Sequence, residues 1–330
     1  MCTAFSCFRT DHYFGRNLDL DYHYDEKVTI TPRNYRFSFR HVGQPTVHYA
    51  IIGIATVIDD YPLYYDGINE KGLCMAGLNF PGNAVYKEID PAKNNIAPFE
   101  LIPWILCQCE TVAQAKILLR KINLCYEPFN ADLPPTPLHW FLSDAECAIT
   151  IEPTDNGIEI YENDFGVLTN SPPFIYHKYN ISNYMNLTPQ QPTDRFFKEK
   201  TLMPYSLGMG AIGLPGDFSS ASRFVRCAFI MANAIFSNTE AQRVHQIFHI
   251  LDSVSQFDGC TVTNHGYEKT LYSICCNATK GILYYTTYYN RRITAIDMHE
   301  SDLNGRKLIA YPLIQKEQIY YQNESSHHPS

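Results

Sequence analysis

Residues 1–20 read Met1-Cys-Thr-Ala-Phe-Ser-Cys-Phe-Arg-Thr-Asp-His-Tyr-Phe-Gly-Arg-Asn-Leu-Asp-Leu20. Two short runs of apolar, aromatic and β-branched residues, 2–8 and 12–16, flank a polar break, which is the pattern of a hairpin. Cys2 directly follows the initiator and is small enough for methionine removal, which leaves it as the first residue with a free α-amine. One residue then carries a thiol, of ordinary pKa about 8.5, beside an amine of about 7.7–8. It supplies both nucleophile and proton acceptor. If the two runs pair, Arg16 comes close to Cys2, and a permanently charged guanidinium favours a neighbouring thiolate. Asp19 is then placed to hold the α-ammonium or orient the amine. Taken singly, these residues read equally well as a thiol at a loose end and a surface salt bridge.

Further strand-like runs follow at 27–31, 48–57 and 72–79, separated by Asp, Gly, Pro and Asn breaks. A helix is expected over about 98–108, with Pro98 suited to its first turn. A second starts at Thr111, where Thr111 and Gln114 have capping-box spacing. Strands return at about 138–143, 147–152, 157–162 and 166–169. The stretch 171–206 is polar and without clear period. Helices are expected from Ser220–Ser222 to about 236 and from Thr239 onward, then Tyr-rich strands at 270–276, 281–289 and 293–297. Strands, two helices, strands, two helices, strands is a segregated order. It suits antiparallel sheets covered by helices, an α+β fold with four layers, αββα. One domain is expected over 2–316, with 317–330 as a solvated, flexible tail.

The chain has 330 residues, 45% hydrophobic and 14% aromatic, enough for a large core. A net charge of −8 argues against a nucleic-acid partner and offers no polybasic anchor for a membrane. No apolar run nears the roughly 18 residues that span a bilayer, and no export signal opens the chain, so a cytoplasmic protein is expected. The eleven cysteines are odd in number and irregularly spaced, which favours reduced thiols. Cys107 with Cys109, and Cys275 with Cys276, lack zinc-ligand spacing and read as small buried residues. Gly208, Gly210 and Gly213 have dinucleotide-loop spacing, but Pro215 and Gly216 stop the helix such a loop must open. His245 and His249 lie four apart without the glutamate of a metalloprotease helix. Neither a metal nor an organic cofactor is expected.

Three more places offer chemistry. Asn79 in Gly77-Leu78-Asn79-Phe80-Pro81 and Asn170 in Leu168-Thr169-Asn170-Ser171-Pro172 each follow an apolar run that would deliver them to a sheet end. Amide donors there suit an oxyanion hole, although Asn before a turn is common in its own right. Arg223 falls in the first turn of a helix, where a cation opposes the helix dipole and so hints at another use.

These segments together resemble the choloylglycine hydrolase family, from Met-Cys-Thr at the start to about residue 312. The resemblance rests on an ordered set: FGRNLDLD (14–21), TPRN (31–34), DDYPLYYDGINEKGL (59–73), AGLNFPG (76–82), PLHWFLSD (137–144), GVLTNSP (166–172), GLPGDFSSASRF (213–224), QIFHIL (246–251) and YYTTYYN (284–290). It implies the αββα sandwich of N-terminal nucleophile hydrolases and amide hydrolysis through an S-acyl intermediate. By the same resemblance Cys2 is the nucleophile with its own amine as base, and Arg16 lies beside the thiol. Asp19 holds the amine, Asn79 and Asn170 form the oxyanion hole, and Arg223 is the site's second arginine. Asn at position 79 resembles the bile salt branch, since penicillin V acylases tend to carry Tyr there. Leu18, Ile58, Tyr65, Phe129 and Leu133 match the apolar wall for a steroid. The implied substrates are glycine- or taurine-conjugated bile acids, and the implied assembly is a homotetramer with 186–206 as an assembly loop. Penicillin V or an N-acyl homoserine lactone is the alternative substrate, and a non-catalytic binding protein on the same fold a more distant one.

Overall fold

The computed structural model describes residues 1–8, 10–43 and 47–323. Six strands come first: β1 (Cys2–Phe8), β2 (His12–Leu20), β3 (Lys27–Thr31), β4 (Ile51–Ile58), β5 (Tyr61–Asn69) and β6 (Cys74–Asn79). Short β7 (Asn94–Ile96) and a 3-10 turn lead into α1 (Leu101–Gln108), α2 (Val112–Leu119) and β8 (Ile122–Leu124). Next come β9 (Leu138–Ser143), β10 (Ala148–Thr154), β11 (Gly157–Glu162) and β12 (Val167–Leu168). The helices α3 (Phe174–Asn180), α4 (Ser220–Asn233) and α5 (Glu240–Asp252) precede β13 (Lys269–Asn277), β14 (Ile282–Thr287), β15 (Thr294–Asp297) and β16 (Ile309–Pro312).

Two fully antiparallel sheets face each other. One runs β12-β1-β2-β13-β14-β15, the other β11-β10-β9-β6-β5-β4-β3-β16. Helices α4 and α5 cover the first sheet, and α1 packs on β4, β5 and β6 of the second. This is the expected αββα sandwich. The strands' period-two alternation builds it: Ile52 and Ile54 point into the core shared with Phe5, Phe14 and Phe141, while Ile51, Trp140 and Leu142 face α1 and α2. Gly15 lets the sheets of side chains close, because a Cβ there would sit 2.6 Å from the Phe5 ring.

Several expectations need correction. The strand β5 was not expected, because Pro62, Asp66 and Gly67 read as breaks. A two-residue turn, with Asp59 at φ 51° and Asp60 at φ 59°, joins it to β4. The pair beside such a turn exchanges hydrogen bonds, so at the next pair, Val57 with Pro62, the missing N–H points outward. There β6 does not extend, since its pairing to β5 covers only Asp66–Ile68. Helix α3 falls in the stretch read as aperiodic, and the short strands β7, β8 and β16 carry too little pattern to be seen. Thr111 does cap α2 through the Gln114 N–H, but the Gln114 side chain accepts from Glu110 N–H instead of closing the box. Of the expected tail, 317–323 is exposed and forms no helix or strand, and 324–330 lie outside the described residues.

Candidate active site

The hairpin β1–β2 pairs Cys2 with Leu18 and Ala4 with Arg16. Cys2 and Arg16 therefore share the face that looks into the space between the sheets. Arg16 Nη2 lies 3.4 Å from Cys2 Sγ and donates to Gly77 O at 2.8 Å, while Nη1 donates to Asp66 Oδ2 at 2.5 Å and to Tyr272 OH at 3.1 Å. Tyr272 OH in turn donates to the same Asp66 oxygen at 2.6 Å. All five residues are buried. Burial opposes the Arg16 charge, but Tyr272, Cys2 and Asp66 outweigh it and hold its pKa above the ordinary value.

The other side of Cys2 is gripped by its main chain. Cys2 N donates to Asn170 Oδ1 at 2.8 Å, and Arg223 Nη2 donates to the same oxygen at 2.8 Å. Arg223 Nη1 donates to Cys2 O at 2.5 Å and to Thr3 Oγ1 at 2.7 Å, and Nε to Phe218 O at 3.0 Å. The first-turn cation on α4 thus has four acceptors of its own. Burial lowers the Arg223 pKa, and Asp19 and Cys2 offset part of that. Asn170 follows β12 by two residues, and its Nδ2 donates to Asn79 O, at the end of β6, at 2.8 Å. In this arrangement both polar atoms of the Asn170 amide are engaged.

In the sequence Met1 precedes Cys2. Its ammonium donates to Asp19 O at 2.9 Å and pairs with the buried Glu268 carboxylate, and burial lowers its pKa. The Asp19 carboxyl, fully buried, accepts from Thr270 Oγ1 at 2.6 Å through Oδ1, while Oδ2 has no partner among the described residues. Burial raises the Asp19 pKa against the pull of the terminal amine and Arg223.

Of the expected wall residues, Leu18 and Tyr65 pack with the inter-sheet core and Phe129 with the second core. Leu18 is the register partner of Cys2, and Tyr65, beside Asp66, belongs to the same inter-sheet core and bonds Thr56 Oγ1 at 2.9 Å. Ile58 ends β4. Phe129 instead packs on the second core, against Tyr61 and Phe99 at 5.6 and 5.2 Å, with the Arg40 guanidinium 5.7 Å from its ring. Its N–H donates to Leu133 O at 3.0 Å, which closes the loop carrying both. Phe129 lines a 460 Å³ cavity together with Tyr35, Tyr61, Arg40 and Arg306.

The sequence reading missed Asp66, Tyr272 and Thr270, which hold Arg16 and Asp19. The signal for Asp66 was present, as one carboxylate inside the apolar run Leu63-Tyr64-Tyr65-Asp66-Gly67-Ile68. Exposed Tyr22 and Tyr24, with ring centroids 4.7 Å apart and planes tilted by 51° on the loop after β2, were also passed over. Their neighbourhood reaches Tyr65 through Thr56, whose hydroxyl also contacts Tyr24 O. Among the described residues no group of three or more His, Cys, Asp or Glu is placed to hold a metal, and no helix is long and apolar enough to cross a membrane.

The model of the linear amide C–N hydrolases of the choloylglycine hydrolase family matches residues 2–311. The chain is 48% identical to the bile salt hydrolase/transferase of Lactiplantibacillus plantarum, over 98% of this chain and all of the relative. It is 37% identical to the bile salt hydrolase/transferase of Clostridium perfringens, over 94% and 96% of the two chains. Among solved structures, a variant of the conjugated bile acid hydrolase from Clostridium perfringens superposes with a TM-score of 0.90 at 35% identity, over 98% of this chain and all of that one. The penicillin V acylase of Agrobacterium tumefaciens, at 19% identity and a TM-score of 0.75 over 94% and 90%, shares the fold.

Proposed function

The chain belongs to the choloylglycine hydrolase family of linear amide C–N hydrolases, and from that premise we propose that it cleaves the amide of glycine- or taurine-conjugated bile acids with Cys2 as nucleophile. The reading rests on the double grip on one residue: Arg16 against the Cys2 sulfur, Asn170 against the Cys2 nitrogen. Near-full-length relatives named for bile salt hydrolysis supply the substrate class.

Loss of Met1 turns the Cys2 nitrogen into an α-amine beside its own thiol. The amine takes the thiol proton as sulfur bonds to the amide carbonyl carbon, and the carbonyl electrons move to oxygen. The amide groups of Asn79 and Asn170 are the donors for that oxyanion, Asn170 Nδ2 exchanging Asn79 O for the substrate. As the C–N bond breaks, the amine passes its proton to the departing glycine or taurine nitrogen. Water then adds to the thioester, giving a proton to the same amine. Collapse releases the bile acid and restores the thiol. Asp19 Oδ2 is the acceptor for the α-ammonium, and Arg223 fixes Cys2 through its carbonyl. Leu18, Ile58, Tyr65, Phe129 and Leu133 form the steroid wall. Chemistry of this kind draws on no metal or organic cofactor.

The test compares release of glycine from glycocholate, phenoxyacetate from penicillin V and acid from an N-acyl homoserine lactone, using protein whose terminus is fixed by mass spectrometry. Turnover of glycocholate well above the other two is expected, and only from chains beginning at Cys2. Preference for either other substrate, or full activity with Met1 retained, would overturn the reading. Eleven cysteines, none in a disulfide among the described residues, suit a reducing cytoplasm. A homotetramer is supported by the exposed Met185, Phe196, Leu202, Met203, Tyr205 and Leu207, an apolar stretch that needs cover. Light scattering should return the mass of four 37.9 kDa chains, and a monomer would refute it.

A further inference from the structure

We infer that His139, backed by Glu152, is a positioning residue for this reaction, holding the Thr169–Asn170 turn so that Asn170 stays on the Cys2 nitrogen. His139 and Glu152 lie on neighbouring strands β9 and β10 and are both fully buried. The ring is stacked on Phe80 with centroids 4.2 Å apart and planes within 6°. Its Nδ1 is 3.1 Å from Glu152 Oε1, and its Nε2 is 3.0 Å from Thr169 O.

Both ring nitrogens therefore face oxygen acceptors. A carbonyl can only accept, so Nε2 carries a proton toward Thr169. Glu152 Oε1 already accepts from Phe174 N–H at 2.9 Å, and the other carboxyl oxygen has no partner among the described residues. A buried carboxylate is costly without a cation, and His139 is the group that pairs with it among the described residues. The ring thus bridges Glu152 and Thr169, a clamp whose far end is the carbonyl immediately before Asn170.

The turn is held elsewhere too. Thr169 Oγ1 bonds Ser220 at 2.8 Å, and Asn170 O accepts from Ser220 Oγ at 2.9 Å and lies 3.1 Å from His177 Nε2. Those contacts come from the helix side. The His139 clamp is a tie from the opposite sheet, beside the Asn170 Nδ2–Asn79 O bond, and it fixes the turn from the strand next to the one that carries Asn79. The motif Pro137-Leu-His-Trp-Phe-Leu-Ser-Asp144 thereby acquires a role beyond packing.

This inference rests on the reading of Asn170 given above, so the experiment measures both. On protein that begins at Cys2, His139→Phe keeps a flat ring on Phe80 and removes both hydrogen bonds. It should lower kcat for glycocholate by about tenfold and leave KM within about twofold, because the steroid wall is untouched. Asn170→Ala should lower kcat at least as much, and adding His139→Phe to it should cost less than about twofold more. If Asn170→Ala lowers kcat and His139→Phe does not, or if the two losses multiply, His139 does not act through Asn170. If Asn170→Ala has no effect, the reading beneath falls and the inference with it. Should His139→Phe fail to fold, the isosteric Glu152→Gln is measured in its place. It withdraws the charge behind the ring, and a kcat drop of about threefold, again lost in the Asn170→Ala background, is expected. Wild-type kcat in that variant overturns the clamp.

Discussion

The side chains packed around Cys2 and the loops proposed to meet the substrate are built differently. Behind the sulfur, Arg16, Asp66 and Tyr272 are buried within strands, Asn170 on a turn and Arg223 at a helix start, and each is tied by two or more hydrogen bonds. The front we propose is made of loops: Tyr22 and Tyr24 are exposed, and the Phe129–Leu133 segment is closed by two main-chain bonds. Reacting atoms must be held within fractions of an ångström, whereas a steroid wall needs only shape and apolar area. The difference teaches where to expect each kind of damage. Changes behind the sulfur should strike kcat and stability, and changes in front should strike KM alone.

The sharpest way to break that division is Cys2→Ala. Cys2 contributes little volume, so unfolding midpoints should stay near those of the parent protein. Hydrolysis of glycocholate should fall by about a thousandfold or more. Comparable residual activity would mean that the sulfur is a spectator and the whole rear assembly is structural.

Arg16→Leu comes next, because it should damage both properties. It strands Asp66 in the core with, among the described residues, only Tyr272 and the Ile54 N–H for partners. Breaking such a buried pair costs about 3–5 kcal/mol, readable as a lower denaturant midpoint, and kcat should drop by about a hundredfold. Loss of activity with an unchanged midpoint would show that the Arg16–Asp66 pair does not hold the sheets together.

Acid should unpick the rear before the front. Burial depresses His12 and His177 from 6.5 to about 4, and His177 touches Asn170 O. The folded state binds fewer protons at these sites than the unfolded chain, so the stability they confer is complete above pH 6.5. It is lost as pH falls from 6.5 toward 4, by about 3 kcal/mol for each histidine. Equilibrium unfolding across that window should show the loss, and His177→Asn should remove about half of it. A flat profile would contradict neutral, buried imidazoles.

How much of this could be read in the chain follows the same line. The hairpin register that brings Arg16 to Cys2 is local, seven cross-strand pairs around one turn. Helix α5 announced itself through the Thr239 start and apolar periodicity, and α4 through the serines at 220–222, although its cap is Ser219. What escaped was non-local. Asp66 reaches Arg16 only because β5 lies in the middle of the second sheet, and Pro62 hid that strand. Its tolerance depends on where β6 ends, a fact of the assembled sheet. His139 and Glu152 face each other by cross-strand register, and single residues in apolar runs carry no mark of what stands opposite. The wall residues came by resemblance, and their dispersal between two cores has no sequence signature.

That dispersal gives the finest test. Phe129 packs its ring on Tyr61 and Phe99, while Tyr65 sits among the residues behind the sulfur. If both touch the steroid, Phe129→Ala should raise KM for glycocholate by about three- to tenfold, the equivalent of about 1 kcal/mol of apolar contact. Its kcat should stay the same, because no hydrogen bond behind Cys2 involves the loop. Tyr65→Phe, which removes only the hydroxyl that bonds Thr56, should shift KM by less than about twofold. The informative failure is a Phe129→Ala enzyme with unchanged KM beside a Tyr65→Ala enzyme with a raised one. Binding energy would then come from the inter-sheet residues, and the front loop would serve to pack against Arg40 and Phe99.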